Sequence, residues 1–172
     1  CNSSYTNNGT TVPAVWRPSN GTWYINGQSP TQYGEVPTDM PVPADYDGDG
    51  IADFALFKAG GAPNGYSWLI RPSSGASQIL TAFGGVGDIP VPGDYNGYSI
   101  AEIAVFRPGN GTWYINGQSA SGTGFGQSGD IPVPADYDGD GKTDIAVWRP
   151  VGGHWYILQS TSGYRDEQYG EA

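Results

Sequence analysis

Residues 135–148, Ala135-Asp136-Tyr137-Asp138-Gly139-Asp140-Gly141-Lys142-Thr143-Asp144-Ile145-Ala146-Val147-Trp148, place four aspartates within nine positions and then run straight into apolar residues. Nearly the same string, ADYDGDGIADFALF, starts at Ala44. A third copy, GDYNGYSIAEIAVFRP, starts at Gly93. A fourth, SSYTNNGTTVPAVWRP, starts at Ser3, and there every acidic position has become neutral. Tyr5, Tyr46, Tyr95 and Tyr137 hold one register through all four copies.

The rest of each copy repeats as well. A polar turn is followed by Trp23-Tyr24-Ile25, Trp68-Leu69-Ile70, Trp113-Tyr114-Ile115 or Trp155-Tyr156-Ile157. An aromatic-Gly pair comes next: Tyr33-Gly34, Phe83-Gly84, Phe125-Gly126 and Tyr169-Gly170. Then DMPVP, DIPVP and DIPVP lead into the next loop, and the second copy carries an insertion, GGAPNGYS. A period of about 40 residues is that of a propeller blade. The repeats fall at about 3–43, 44–92, 93–134 and 135–172. Residues 1–13 read as a leader with a degenerate loop, and 14–172 as a single repeat domain.

Within a repeat the local signals are those of strands. DIAVWRP and TWYINGQS are short apolar runs bounded by Gly, Pro and Asn,. RPSNGTWY and RPGNGTWY contain the Asn-Gly pair that suits a tight hairpin,. The runs are apolar without alternation, which implies sheets covered on both faces, and the Pro-Val-Pro segments fit short edge strands. No helical period is present. The expected fold is all-β: a β-propeller of four small antiparallel blades, with an open blade array or part of a larger propeller as the alternatives.

In D-x-D-G-D-G-x-x-D, side-chain oxygens at positions 1, 3 and 5 project to one side if the backbone curls tightly. Glycines at 4 and 6 permit that curl because they tolerate positive φ. A carbonyl at position 7 and a carboxylate at position 9 complete a shell of hard oxygens suited to Ca²⁺, where Mg²⁺ demands a smaller, stricter octahedron. Without a cation, four carboxylates in one loop repel. An EF-hand would need a glutamate at position 12 and flanking helices; position 12 here is Leu56 or Val147, inside a strand. Loops 45–53 and 136–144 carry all four carboxylates. Loop 94–102 keeps Asp94, Asn96 and Glu102 but has Tyr98 at position 5, which implies weaker binding,. The N-terminal loop, with Ser4, Thr6, Asn8 and Val12, should hold no ion.

This repeat resembles the FG-GAP/VCBS type of integrin α-subunit propellers and many bacterial surface proteins. The resemblance rests on DYDGDG(K/I)(T/A)D, the apolar strand after it and the aromatic-Gly pair, and it covers essentially the whole chain. It implies Ca²⁺ loops that link strands within a blade. One site would use Asp45, Asp47, Asp49, the Ile51 carbonyl and Asp53. A second would use Asp136, Asp138, Asp140, the Lys142 carbonyl and Asp144. The degenerate one would use Asp94, Asn96, the Ile100 carbonyl and Glu102. Four blades are fewer than such rings usually close.

Composition narrows the function. The chain of 172 residues has 28 Gly and 14 Pro, but its 6 Trp and 12 Tyr argue for a folded, turn-rich protein,. A net charge of −10, with 7 Lys and Arg, leaves no basic stripe for nucleic acid or an anionic membrane surface,. No apolar run approaches the ~20 residues of a transmembrane helix. Cys1 is the single cysteine. It resembles the lipidated first residue of a bacterial lipoprotein, with an arbitrary boundary as the plain alternative. Sequons occur at Asn2, Asn8, Asn20 and Asn110,; the last two sit in hairpin turns, where backbone geometry alone explains Asn.

Catalytic groups are sparse. His154, the single histidine, takes the slot of Thr22, Ser67 and Thr112 in the other repeats, a strand-surface position. Asp39, Asp88 and Asp130 share one repeat position and read as turn chemistry. Glu35, Asp166, Glu167 and Glu171 are scattered, and no enzyme is expected. Trp23, Trp68, Trp113 and Trp155 read as core, with sugar platforms as the alternative. The expectation is a non-catalytic extracellular Ca²⁺-binding module for adhesion at the cell surface, secreted or lipid-anchored, with a protein or glycan ligand. A self-associating subunit of an extracellular filament and a carbohydrate-binding lectin are the alternatives.

Overall fold

The computed structural model describes Tyr5 and residues 12–35, 38–62 and 65–170, with no side-chain description for 59–62 and 65. The proposed lipid anchor at Cys1, the sequons at Asn2 and Asn8, Glu171 and most of the N-terminal loop lie outside the described residues. Every described element is a strand, and the strands form four antiparallel sheets. The first contains β1 (Ala14–Arg17), β2 (Thr22–Ile25) and β3 (Thr31–Gln32). The second contains β4 (Asp39–Pro41), β5 (Phe54–Ala62), β6 (Gly65–Arg71) and β7 (Ile79–Ala82). The third contains β8 (Ile89–Pro90), β9 (Ala104–Arg107), β10 (Thr112–Ile115) and β11 (Thr123–Gly124). The fourth contains β12 (Ile131–Pro132), β13 (Ile145–Arg149), β14 (His154–Gln159) and β15 (Gly163–Gln168). Each is a meander in which consecutive strands pair.

The residues expected as one repeat domain divide into two compact units, 2–86 and 87–172, with two sheets apiece. The four-stranded sheets start ahead of their loops, at Asp39, Ile89 and Ile131 and not at Ala44, Gly93 and Ala135. The reason is pairing: the Pro-Val-Pro segment is hydrogen-bonded to the strand that follows the loop. Val42, Val91 and Val133 donate their N–H to the carbonyls of Ala55, Ala104 and Ala146 at 2.9, 2.8 and 2.9 Å.

Apolar runs buried on both faces account for the strand sequences. Ala55, Leu56 and Phe57 have no exposure, and Ala104, Val105 and Phe106 have at most 1%. In the unit 2–86, Phe54 of the second sheet meets Trp23 of the first edge-on, ring centroids 5.4 Å apart. In the unit 87–172, Phe106, Trp113 and Ile115 of the third sheet pack with Val147 of the fourth. Trp23, Trp68 and Trp113 are 3%, 0% and 1% exposed, as core residues and not platforms.

Those tryptophans also explain the aromatic-Gly pair. Their indole Nε1–H donates to the carbonyl of Tyr33, Phe83 and Phe125 at 2.9, 3.2 and 2.8 Å, and Trp155 does the same to Tyr169 at 3.0 Å. The Asn-Gly turn approaches the same pair. A Cβ on Gly111, whose φ is +65°, would stand 2.2 Å from the Gly126 carbonyl oxygen, so no larger residue fits. The insertion GGAPNGYS lengthens a hairpin: β5 and β6 run nine and seven residues where β9 and β10 have four, with an irregular register between Ala59 and Ala62.

Asp39, Asp88 and Asp130 have a second role beside turn chemistry. Asp39 and Asp130 do bond nearby backbone N–H groups, of Glu35 and Gln127. Their buried carboxylates also face a cation of the next strand. Asp88 and Asp130 hold Arg107 and Arg149 by two bonds each, at 2.8 and 2.9 Å, and Asp39 lies 3.5 Å from Lys58. Each guanidinium also lies over a tyrosine, Arg107 on Tyr114 at 4.5 Å and Arg149 on Tyr156 at 4.3 Å. The constant spacing of 19 residues between acid and base was the signal in the sequence.

Candidate metal sites in the aspartate loops

In each four-stranded sheet the acidic loop joins the first strand to the second, closed by a bridge: Ala44 with Asp53, Gly93 with Glu102, Ala135 with Asp144. The curl is built the same way three times. The acid at position 1 accepts the backbone N–H groups of positions 4 and 6: Asp45 from Gly48 and Gly50, Asp94 from Gly97 and Ser99, Asp136 from Gly139 and Gly141. The acid at position 9 accepts the N–H of position 2, from Tyr46, Tyr95 and Tyr137 at 2.8, 2.8 and 2.9 Å. Those tyrosines, used in the sequence only to set register, pin the loop: each hydroxyl donates to a Val carbonyl four residues earlier, at 2.7 Å.

The curl demands left-handed backbone at positions 4 and 6. Gly48, Gly50, Gly139 and Gly141 have φ between 79° and 88°. Loop 94–102 keeps Gly97 at 4 but has Ser99 at 6, which takes a φ of 60°, the single non-glycine with positive φ among the described residues. Such a conformation costs an L-residue about 1 kcal/mol.

Two groups of carboxylates converge. Oxygens of Asp45, Asp47 and Asp49 lie within 4.8 Å of one another, as do those of Asp136, Asp138 and Asp144. Like charges at that separation repel by about 3 kcal/mol per pair at the effective dielectric near a protein surface. Hard carboxylate oxygens grouped in this way could hold a metal ion. The bonds from backbone N–H groups do not exclude that, since each carboxylate offers about four lone-pair sites.

The fourth acids behave differently in the two loops. Asp53 is fully buried and accepts the N–H of Ser73 as well as that of Tyr46. Burial pushes its carboxyl up to about 6, against those two bonds and reinforced by Asp47 and Asp45. Asp140 instead turns to the hydroxyls of Thr161 and Ser160, which hold it below the usual carboxylate range. Ser73 reaches Asp49 and Ser74 reaches Asp47 in the same manner. The turn after the third strand, PSSG at 72–75 and STSG at 160–163, therefore caps its own sheet's loop. Sequence reasoning missed these hydroxyls, although adjacent hydroxyl residues at the same place in two repeats, Ser73-Ser74 and Ser160-Thr161, were there to be read.

Loop 94–102 lacks both features. The Asn96 amide donates to Glu102, closing with a proton the gap that other loops leave between two carboxylates. Burial raises the Glu102 carboxyl, partly offset by the N–H of Tyr95. Ser119 and Ser121 of the corresponding turn bond each other. Tyr98 points outward, 76% exposed. Ile51, Ile100 and Lys142 follow at position 7; the N–H of Ile51 and of Lys142 donates to the acid at position 5. His154 stacks on Tyr156, ring centroids 5.9 Å apart.

Among the described residues no helix is long and apolar enough to cross a membrane. No family model, no curated protein and no solved structure matches this chain.

Proposed function

We propose that this chain is a calcium-stabilised, non-catalytic module of FG-GAP/VCBS type, its four sheets the blades of a β-propeller, that serves binding or adhesion at the cell surface. The observation that carries the reading is the convergence of three carboxylates in each of two loops at equivalent places in two sheets. Ca²⁺ suits the all-oxygen donor set and the pliant loop. Asp45, Asp47, Asp49, Asp53 and the Ile51 carbonyl would hold one ion. Asp136, Asp138, Asp140, Asp144 and the Lys142 carbonyl would hold the other. The burial of Trp23, Trp68 and Trp113 weighs against a lectin that stacks sugars on them.

Extracellular sites of this kind bind Ca²⁺ with Kd of about 10⁻⁴–10⁻³ M. At ~1 mM free ion and ~0.1 mM Kd, each stabilises the fold by about 1.4 kcal/mol. Two sites give about 3 kcal/mol, or about 6–12 °C in Tm for a chain of this size. Melting the protein in 1 mM calcium and in excess chelator tests this. A matching fall supports structural calcium, and coincident melts would sink it.

A further inference from the structure

In an Asn-Gly pair the main-chain nitrogen of the glycine can approach the side-chain amide carbon of the asparagine with no Cβ in the way. Among the described residues the pair occurs at Asn20, Asn26, Asn96, Asn110 and Asn116. Three of these are guarded. In loop 94–102 the Gly97 N–H donates to Asp94 at 2.6 Å, and the Asn96 amide is held by Glu102 and, at 2.9 Å, by the Tyr98 N–H. In its hairpin turn the Gly111 N–H donates to the Arg107 carbonyl at 3.0 Å, and the Asn110 oxygen accepts the Thr112 N–H at 3.2 Å. Gly21, like Gly111, is buried, and a Cβ on it would stand 2.5 Å from the Gly34 carbonyl oxygen, so that turn has no room to reshape. Asn26-Gly27 and Asn116-Gly117 differ. They lie in the exposed turns that follow β2 and β10. Each turn is closed by one bond, from the Gln28 N–H to the Ile25 carbonyl at 3.0 Å or from Gln118 to Ile115 at 3.1 Å. The N–H groups of Asn26 and Asn116 donate to the Pro13 and Ile103 carbonyls. Among the described residues their side-chain amides, and the N–H groups of Gly27 and Gly117, have no hydrogen bond. Nothing lies within 4 Å of where a Cβ would stand on either glycine.

We propose that Asn26 and Asn116 are sites of self-modification, at which the folded chain converts asparagine to aspartate or isoaspartate. The Gly117 nitrogen gives its proton to water and bonds to Cγ of Asn116. The bond from Cγ to the amide nitrogen breaks, and that nitrogen takes a proton from water and leaves as ammonia. A cyclic imide remains. Water opens it at either carbonyl. Attack at Cγ frees a side-chain carboxylate and gives aspartate. Attack at the main-chain carbonyl leaves the chain running through Cβ and Cγ, which is isoaspartate. One water is consumed, one ammonia is released, and nothing is oxidised or reduced. Gly27 and Asn26 react in the same way. Holding both partners on adjacent residues supplies the high effective concentration of an intramolecular reaction. At the guarded pairs a hydrogen bond on the nucleophile or on the amide must open first, and the reaction waits for that opening. Each conversion adds one negative charge to a chain already at −10. The inference is independent of the calcium reading.

To test this, the folded full chain is incubated in water enriched in heavy oxygen, digested in ordinary water at intervals and mapped by mass spectrometry. Electron-transfer fragmentation distinguishes isoaspartate from aspartate. Label is expected at Asn26 and Asn116 about tenfold faster, or more, than at Asn20, Asn96 and Asn110, the gap that intact hydrogen bonds and burial impose. In denaturant the five rates should converge, because the guards are gone. Asn116→Gln should remove the label from its own peptide and leave the Tm unchanged. An unlabelled Asn116 in the folded chain, after a free peptide of residues 113–120 has reacted, overturns the proposal. Labelling of Asn96 or Asn110 as fast as Asn116 does so too. So does a ranking that persists in denaturant, which would trace it to flanking sequence and not to the fold.

Discussion

Loops 136–144 and 94–102 lie in the same unit and share a curl, a closing bridge, a tyrosine anchor and the acid at position 1 that gathers two backbone N–H groups. They differ from position 5 onward and at position 3, and the changes at 3, 5 and 6 alter charge and curl most. One has Asp138, Asp140 and Gly141; the other has Asn96, Tyr98 and Ser99. The curl survives the exchange, so those two acids are not needed to make the turn. What they add is charge. In loop 94–102 a hydrogen bond between Asn96 and Glu102 ties positions 3 and 9 together. In the acidic loop the same two positions are Asp138 and Asp144, both carboxylates, and a cation is the natural tie.

The sharpest way to break this comparison is Asp138→Asn with Asp140→Asn. In 1 mM calcium the double variant should lose about 1.4 kcal/mol, half of what chelation removes, because loop 45–53 would keep the ion proposed for it. A Tm in calcium equal to that of the parent would show that these two acids hold no stabilising ion. The converse experiment builds the missing site. Asn96→Asp with Tyr98→Asp should lower stability in chelator, since two charges join Asp94 and Glu102, and should add a calcium increment of about 1 kcal/mol. Three calcium ions instead of two, counted by isothermal titration, would confirm the gain.

Ser99→Gly asks about backbone and not charge. Relief of the left-handed serine should raise stability by up to about 1 kcal/mol, with or without calcium, reduced by the freer unfolded chain. A thermal melt that shows a loss would mean that the Ser99 side chain matters more than its φ. The last test concerns pH. The Asp53 carboxyl, raised to about 6 by burial, takes up a proton in the folded state before the unfolded chain does at 3.8. In chelator, wild type should therefore gain stability relative to Asp53→Asn as pH falls from 7 through 6 toward 4. In calcium, proton and ion compete for that carboxylate, so the calcium increment should shrink over the same interval. Paired melts at pH 7 and 4.5 measure both.

Much of this was legible in the sequence because it recurs. Four copies of one string located the strands, the hairpin turns and the loops, and the non-alternating AVF and ALF runs announced burial on both faces. Less legible was anything that pairs residues across a repeat. Asp130 and Arg149 are 19 residues apart and meet because β12 lies beside β13; a scan of neighbours sees only an aspartate in a turn. Ser73 and Ser160 reach their loops from the far end of a third strand for the same reason. The phase of the repeat was hidden too, since a loop makes a clearer landmark than a two-residue strand. The difference between Asp53 and Asp140 depends on burial and on hydroxyl partners that the loop string does not contain.

Among the described residues every ladder joins strands that are neighbours along the chain. Such a meander can zip up from its own hairpins, with no distant segment to wait for, so its contact order is low for a β protein and its folding should be correspondingly fast. It also makes each sheet a self-contained cassette. A copy can be duplicated or its loop can lose acids, and the register of its neighbours is undisturbed.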